Sequence, residues 1–224
     1  MEHYCQTRGE EIANSLLHCV GCMLGILGLI FLINHSQSFS PAYVIFSSTM
    51  IFMFFASTMY HAIIPLKIKE FFRVIDHQAI YIFIAGTYTP FCLVALKGSL
   101  GLFLLCFEWI CALLGVILSA FGFRFLKKIE IAIFIMMGWA ILVGGFSLTR
   151  LMSLQSILFL LGGGAAYTAG IFWYKAGKVK FCKDNTKKAE KKQKRLFFGH
   201  VIWHLFVLAG AVCHWFSVWH LSLP

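Results

Sequence analysis

Three histidines have the residue type and spacing expected of a metal site. His200 and His204 are four residues apart, so on a helix both imidazoles project from one face about one turn apart. His61 belongs to a different apolar segment and would complete three nitrogen ligands. Three protein ligands with an open fourth position are typical of a catalytic zinc site. We therefore predict that these histidines bind Zn²⁺; spacing does not exclude another divalent ion, but imidazoles favour zinc.

Two further polar residues have the chemistry to assist hydrolysis at such a site. Ser57 precedes His61 by four residues, on the same helical face, where its hydroxyl could contact a developing oxyanion. Asp76 begins the next apolar segment at the level of His61 and could hold a water molecule or orient a ligand imidazole. We predict catalytic roles for both. The alternative for Asp76 is a salt bridge to Arg73 or to a histidine.

The first apolar segment contributes a third group of polar residues. Glu11, Asn14 and His18 follow the spacing i, i+3, i+7, so they face one direction and enter the membrane at a similar depth. We predict that they surround the metal ligands. The alternative for any single intramembrane histidine is a hydrogen bond between helices. Glu108 lies alone in the middle of another segment, where an ionisable side chain is expected to face the interior of the bundle.

Long apolar segments must position these residues. The 224-residue chain is 60% hydrophobic and 12% charged, about half the charged share of soluble domains. This composition excludes a soluble domain, a disordered chain and a DNA-binding domain. A bilayer core of ~30 Å requires about 20 apolar residues per helix. We predict one all-α membrane domain over residues 1–224, with seven helices near 13–33, 42–64, 74–96, 100–120, 131–148, 153–173 and 199–220.

The positive charges predict the orientation of the bundle. Of the 19 Lys and Arg residues, 17 fall on the side of the N-terminus, and only Lys97 and Arg150 fall on the other side. The positive-inside rule therefore places the N-terminus in the cytoplasm and the C-terminus outside, in a multi-pass protein of the cell membrane. Ten of these charges lie in the loop 174–198, whose basic run serves topology or binds anionic lipid headgroups. It lacks the interleaved aromatic residues of a nucleic-acid site.

Four motifs of the sequence are specific when taken together: EEIANSLLHCVG, STMYHA, IDHQAIYIFIAGTYTPF and GHVIWHLFVLAGAVCH. With these motifs the chain resembles the hemolysin III family, the bacterial branch of the progestin and adipoQ receptor superfamily, which is similar to the alkaline ceramidases. The resemblance implies a seven-helix bundle with a cytoplasmic N-terminus and zinc on His61, His200 and His204. It also implies that Asp76 and Ser57 lie close to the zinc and its water. Cys19, after the helix 1 histidine, departs from the usual small or polar residue.

Three functions are compatible with these residues. The first is a zinc-dependent hydrolase that cleaves an amide or ester of a membrane lipid. The second is a membrane sensor or regulator of lipid homeostasis in which zinc only ties helices together. The third is a pore-forming cytolysin, suggested by the family name alone and disfavoured because seven apolar helices describe a resident membrane protein. The identity of the lipid and the oligomeric state stay open.

Overall fold

The computed structural model describes residues 6–35, 40–121, 124–177 and 197–222, and no strand occurs in these ranges. Seven segments are long and apolar enough to cross a membrane, which confirms the predicted all-α, seven-span fold. The fifth span consists of α5, a short 3₁₀ helix and α6. The α-helices are α1 (Arg8–His35), α2 (Pro41–Ala62), α3 (Leu66–Pro90), α4 (Gly98–Ala120), α5 (Arg124–Trp139), α6 (Gly145–Leu151), α7 (Leu154–Gly177) and α8 (Gly199–Ser222).

The third span is the one whose predicted start was most in error. Helix α3 begins at Leu66, eight residues before the expected 74, because the charged stretch after Pro65 forms helix rather than loop. Pro65 lacks a backbone N–H, so it leaves no unpaired donor at the start of the helix. The sixth span, α7, also extends further than predicted, because it ends at Gly177 instead of residue 173. Of the predicted basic loop 174–198, residues 178–196 lie outside the described part of the chain.

Local sequence signals account for two of the helix starts. Thr7 and Glu10 form a reciprocal capping box: the Thr7 backbone N–H donates to Glu10 Oε2 at 2.8 Å, and the Glu10 N–H donates to Thr7 Oγ1 at 3.3 Å. Helix α2 starts with Ser40 as its N-cap, whose hydroxyl accepts from the Ala42 N–H, followed by Pro41 in the first turn. These caps fix where α1 and α2 enter the membrane.

The helices pack in a closed order around the bundle. Helix α8 lies between α7 and α1, α1 packs on α2, α2 on α3, and α3 on α4. Small residues permit the closest approaches: a side chain at Gly21 would collide with the Phe54 ring of α2, and one at Gly28 with Trp215 of α8. This order places the C-terminal end of α2 beside the start of α8, with α1 packed against both.

Two spans change helix type in their C-terminal halves. Helix α3 reaches Pro90 and continues as a π-helix over Phe91–Leu96 before turning into α4 at Lys97 and Gly98, both with positive φ. The fifth span changes to a 3₁₀ helix over Ala140–Gly144. Irregular backbone at membrane depth is tolerated where protein buries it, and π-helical turns often occur at functional sites.

The outward faces of the bundle are apolar. Large side chains such as Leu16, Leu102 and Phe172 are more than half exposed, as is usual for side chains that contact lipid. The six cysteines among the described residues are all free thiols. The protein is therefore a multi-pass membrane protein.

Candidate metal centre

The end of α2 and the start of α8 bring the three predicted ligand histidines together. His61 lies in the last turn of α2, and His200 and His204 lie in the first two turns of α8. One nitrogen from each ring can be chosen so that all three lie within 4.8 Å of one another. His61 and His204 are 4% and 1% exposed, and His200 is partly exposed. The prediction that these imidazoles converge is confirmed, and the cluster could hold a metal ion.

The spacing of the nitrogens suits a small tetrahedral ion. The Nε2 atoms of His61 and His204 are 3.1 Å apart. Two imidazole nitrogens on one zinc ion, each at about 2.0–2.1 Å, would be separated by about 3.4 Å. The measured separation is within a few tenths of an ångström of that value. The three chosen nitrogens lie within 4.8 Å of one another, so the three rings would have to draw together to hold one ion.

A carboxylate on α1 orients the first ligand. The Nδ1–H of His61 donates to Glu11 Oε2 at 2.7 Å, and the same oxygen pairs with Lys69 Nζ at 3.1 Å. With Nδ1 used as a donor, Nε2 carries the lone pair and faces His204. Carboxylates commonly fix metal-binding histidines in this way. Among the described residues, the orienting carboxylate for His61 Nδ1 is therefore Glu11, although the sequence analysis had considered Asp76 for this role.

Lys69 is part of the site although the sequence analysis treated it only as a positive charge in a loop. Its ammonium donates to the Tyr60 carbonyl at 2.9 Å, lies 4.8 Å from the centre of the Tyr60 ring, and pairs with Glu11. The side chain is buried because α3 starts early and its first turn passes beneath the end of α2. No pattern in the sequence indicated this position, because the segment did not resemble a membrane helix.

The other two residues predicted on α1 behave differently from each other. The His18 ring lies 4.0 Å from that of His204, edge to face, and neither His18 nitrogen has a hydrogen-bond partner in the described ranges. Asn14 is fully buried, but its amide donates to Gln6 Oε1 at 3.0 Å rather than to a histidine. His18 therefore lies beside the histidine cluster, whereas Asn14 binds Gln6 in the segment that precedes α1.

Asp76 and Ser57 both lie beside His61. The Asp76 carboxyl is near Ser57 and His61 and next to His77. The Ser57 hydroxyl is fully buried, and within the described chain it has no hydrogen bond of good geometry. His77 itself turns away to Glu130 on α5, at 3.5 Å. The Asp76 carboxyl and the Ser57 hydroxyl therefore lie close to each other and beside His61.

Glu10 links the site to the start of α8, a contact that the sequence analysis missed. Its Oε1 accepts the backbone N–H of Phe198 at 2.9 Å, two residues before His200. Phe198 has a φ of 59°, in the left-handed region, so the backbone turns at this residue directly before α8 begins at Gly199. The Thr7-x-x-Glu10 spacing signals a capping box on α1, but not the second contact across 188 residues.

The sequence comparisons agree with this geometry. A family described as "Haemolysin-III related" matches residues 6–215. The chain belongs to the hemolysin III family. The "Hemolysin-3" protein of Bacillus cereus is 35% identical to it over 220 residues, covering 96% of this chain and 93% of that protein.

Further relatives extend the hemolysin III match. The "Hemolysin-3 homolog" of Bacillus subtilis (strain 168) is 34% identical over 214 residues, covering 93% of this chain and 92% of that protein. The human "Monocyte to macrophage differentiation factor" is 25% identical over 223 residues, covering 96% and 86%. The latter is a more distant relative from the progestin and adipoQ receptor family. The predicted family and its superfamily are thus confirmed, and the relation covers nearly the whole chain.

Proposed function

We propose that this hemolysin III protein is a zinc-dependent hydrolase that acts on an amide or ester bond of a membrane lipid. The observation that supports this proposal is the convergence of three imidazoles, with the Asp76 carboxyl and the Ser57 hydroxyl beside one of them. His61, His200 and His204 would hold the ion. A zinc ion in such a site acts as a Lewis acid and lowers the pKa of bound water.

Each neighbouring side chain has a distinct task in this proposal. Asp76 is placed to accept a proton from a water molecule beside His61. The Ser57 hydroxyl, which lies beside the Asp76 carboxyl, would donate its hydrogen to the carbonyl oxygen of a substrate as negative charge develops there. Glu11 keeps the His61 ring in one tautomer and one orientation. These roles require no change in the helix positions.

Access to the site also fits a lipid substrate. His200, in the first turn of α8, is partly exposed, so the cluster opens towards the end of the bundle where α8 begins. The outer surfaces of the helices are apolar, and an acyl chain could approach along them. Water would enter from the adjacent end, which the distribution of Lys and Arg assigns to the cytoplasm. The basic segment 174–198 would attract anionic headgroups to that face.

The first test is the metal content of the purified protein. We expect about one zinc ion per chain, lost in His204→Ala together with lipid turnover. His220→Ala is a matched control, since His220 lies at the far end of the same helix and stacks on Phe159. Full zinc occupancy in a His61→Ala/His204→Ala double variant would reject the ligand assignment.

The second test separates catalysis from a purely structural metal. The network of Glu11, His61 and Lys69 joins α1, α2 and α3, so zinc at His61 could act by tying helices together in a non-catalytic sensor or regulator. Asp76→Asn should retain zinc but lose turnover if the site is catalytic. Glu70→Gln, an exposed change on the same helix, is the control. A membrane phenotype unchanged by Asp76→Asn would favour the regulator.

The orientation of the bundle is a separate proposal with its own test. A tag on the N-terminus should be reachable only from the cytoplasm, and one on the C-terminus only from outside. The opposite result would move the histidine cluster to the outer leaflet. The relatives' name "Hemolysin-3" raises cytolysis as a further function. Seven resident spans argue against a secreted pore-former, and we rank that function last.

A further inference from the structure

Glu108 is a buried carboxylic acid that the proposed hydrolase does not use. It lies in the middle of α4, and its side chain is 0% exposed. Neither carboxyl oxygen has a hydrogen-bond partner within the described residues. An ionised carboxylate in such a position would be very costly, because nothing compensates the loss of its hydration. The environment therefore accommodates the neutral, protonated acid far better than the anion.

Among the described side chains, no cation interacts with Glu108. The helices packed against α4 are α3, the π-helix, α5 and the 3₁₀ helix. In the described chain, the titratable side chains that interact with the carboxyl are Tyr88 from α3, Cys92 from the π-helix and Cys111 from α4 itself. The 3₁₀ helix carries none, and Glu130 of α5 faces His77 and Tyr81 instead. All these neighbours are uncharged when protonated, so none stabilises the anion.

Tyr88, which interacts with the Glu108 carboxyl, connects the two spans that change helix type. Tyr88 precedes the π-helix, and its hydroxyl donates to the Met137 carbonyl at 2.6 Å and accepts from the Ile141 N–H of the 3₁₀ helix at 2.7 Å. The Tyr88 hydroxyl is thus committed to bridging the two breaks. In membrane transporters, discontinuous helices beside a buried ionisable group commonly form proton or cation sites. This protein likewise has two changes of helix type and a buried carboxylic acid without a hydrogen-bond partner among the described residues.

We propose that Glu108 is a proton-binding site in the outer half of the bundle, separate from the histidine cluster. Along α3, Tyr88 lies twelve residues beyond Asp76, about 18 Å at 1.5 Å per residue. The ligand is a proton rather than a metal ion, because two of the three neighbouring groups are thiols and hard cations require several oxygen ligands. Proton binding here does not depend on zinc or on lipid hydrolysis, so the two proposals can fail separately.

Infrared spectroscopy of the purified full-length protein in lipid tests the proposal directly. An undissociated carboxylic acid has a C=O stretch that neither a carboxylate nor an amide shares. We expect this band at neutral pH in the difference between the native protein and Glu108→Gln. It should decline as the pH is raised, with the protonated fraction falling about tenfold per unit once ionisation sets in. Glu70→Gln, which removes an exposed carboxylate, should show no acid band in the same comparison.

Two results would overturn the proposal. The first is a carboxylate band for Glu108 at neutral pH. The second is conversion of the acid to carboxylate on addition of Na⁺ at constant pH, which would identify a metal cation as the ligand. A thermal denaturation series guards against misfolding of the variant: Glu108→Gln should melt at the same temperature as the native protein at neutral pH. It should melt at a higher temperature than the native protein at alkaline pH, where Glu108 ionises.

Discussion

Replacement of Glu11 by alanine should weaken zinc binding without removing a ligand. The change deletes the acceptor that lies 2.7 Å from His61 Nδ1 and the counter-ion that lies 3.1 Å from Lys69. Loss of the group that orients a metal-binding histidine typically lowers affinity 10–100-fold. At 1.36 kcal/mol per factor of ten, this is about 1.4–2.7 kcal/mol. The His61 and Lys69 side chains are 0% and 10% exposed, so water screens the lost interactions little and we expect the upper end.

The affinity can be measured by competition with a fluorescent zinc chelator on purified protein. Glu70→Ala removes an exposed carboxylate from α3 and should leave the affinity unchanged. Lys69→Met separates the two roles of Glu11: it removes the ion pair but leaves the His61 hydrogen bond, so it should cost less zinc affinity than Glu11→Ala. If Glu11→Ala binds zinc within about twofold of the native protein, the carboxylate does not orient His61 and our account of the site is wrong.

Two further predictions concern the bundle itself. Gly86→Ala places a Cβ against Thr49 and should destabilise the fold by about 1–3 kcal/mol in thermal or denaturant unfolding, whereas Gly162→Ala meets no atom within 4 Å and should be neutral or slightly stabilising. Tyr88→Phe leaves the buried Ile141 N–H without its acceptor and should cost about 1–3 kcal/mol, measured in the same way, with faster hydrogen exchange confined to the 3₁₀ helix. Equal stability of Gly86→Ala and Gly162→Ala would contradict the packing described for α2 and α3.

Much of the fold was predictable because the bilayer imposes a simple rule. A spanning helix must satisfy all its backbone hydrogen bonds and must be about 20 apolar residues long, so the number of spans follows from counting. The rule fails where a helix continues beyond the apolar core. This is why α3, which starts at Leu66 among charged residues, was predicted to begin eight residues too late. It also gave no sign of the π-helix at Phe91–Leu96, which depends on packing against neighbouring helices.

The candidate site was predictable to a similar degree. The i, i+4 spacing of His200 and His204, and the depth of His61, predicted the cluster of three histidines. The residues that surround the three histidines were predicted less completely. Glu11 was placed near the site by helical spacing, but its bond to His61 depends on the rotation of α1 against α2. Helical periodicity specifies which residues share a face and leaves open which neighbouring helix that face meets.

By itself, the sequence determined the membrane setting, the seven spans, the family and the identity of the three histidines, because hydrophobic length and i, i+4 spacing are local properties. Only the tertiary structure revealed Lys69 between Glu11 and the Tyr60 carbonyl and Glu10 on the backbone N–H of Phe198. It also revealed that Glu108 is buried without a hydrogen-bond partner among the described residues. Each of these depends on how far one helix is shifted and rotated against another. The shift and rotation of one helix against another are set by side-chain packing over the whole bundle, so no short sequence pattern predicts them.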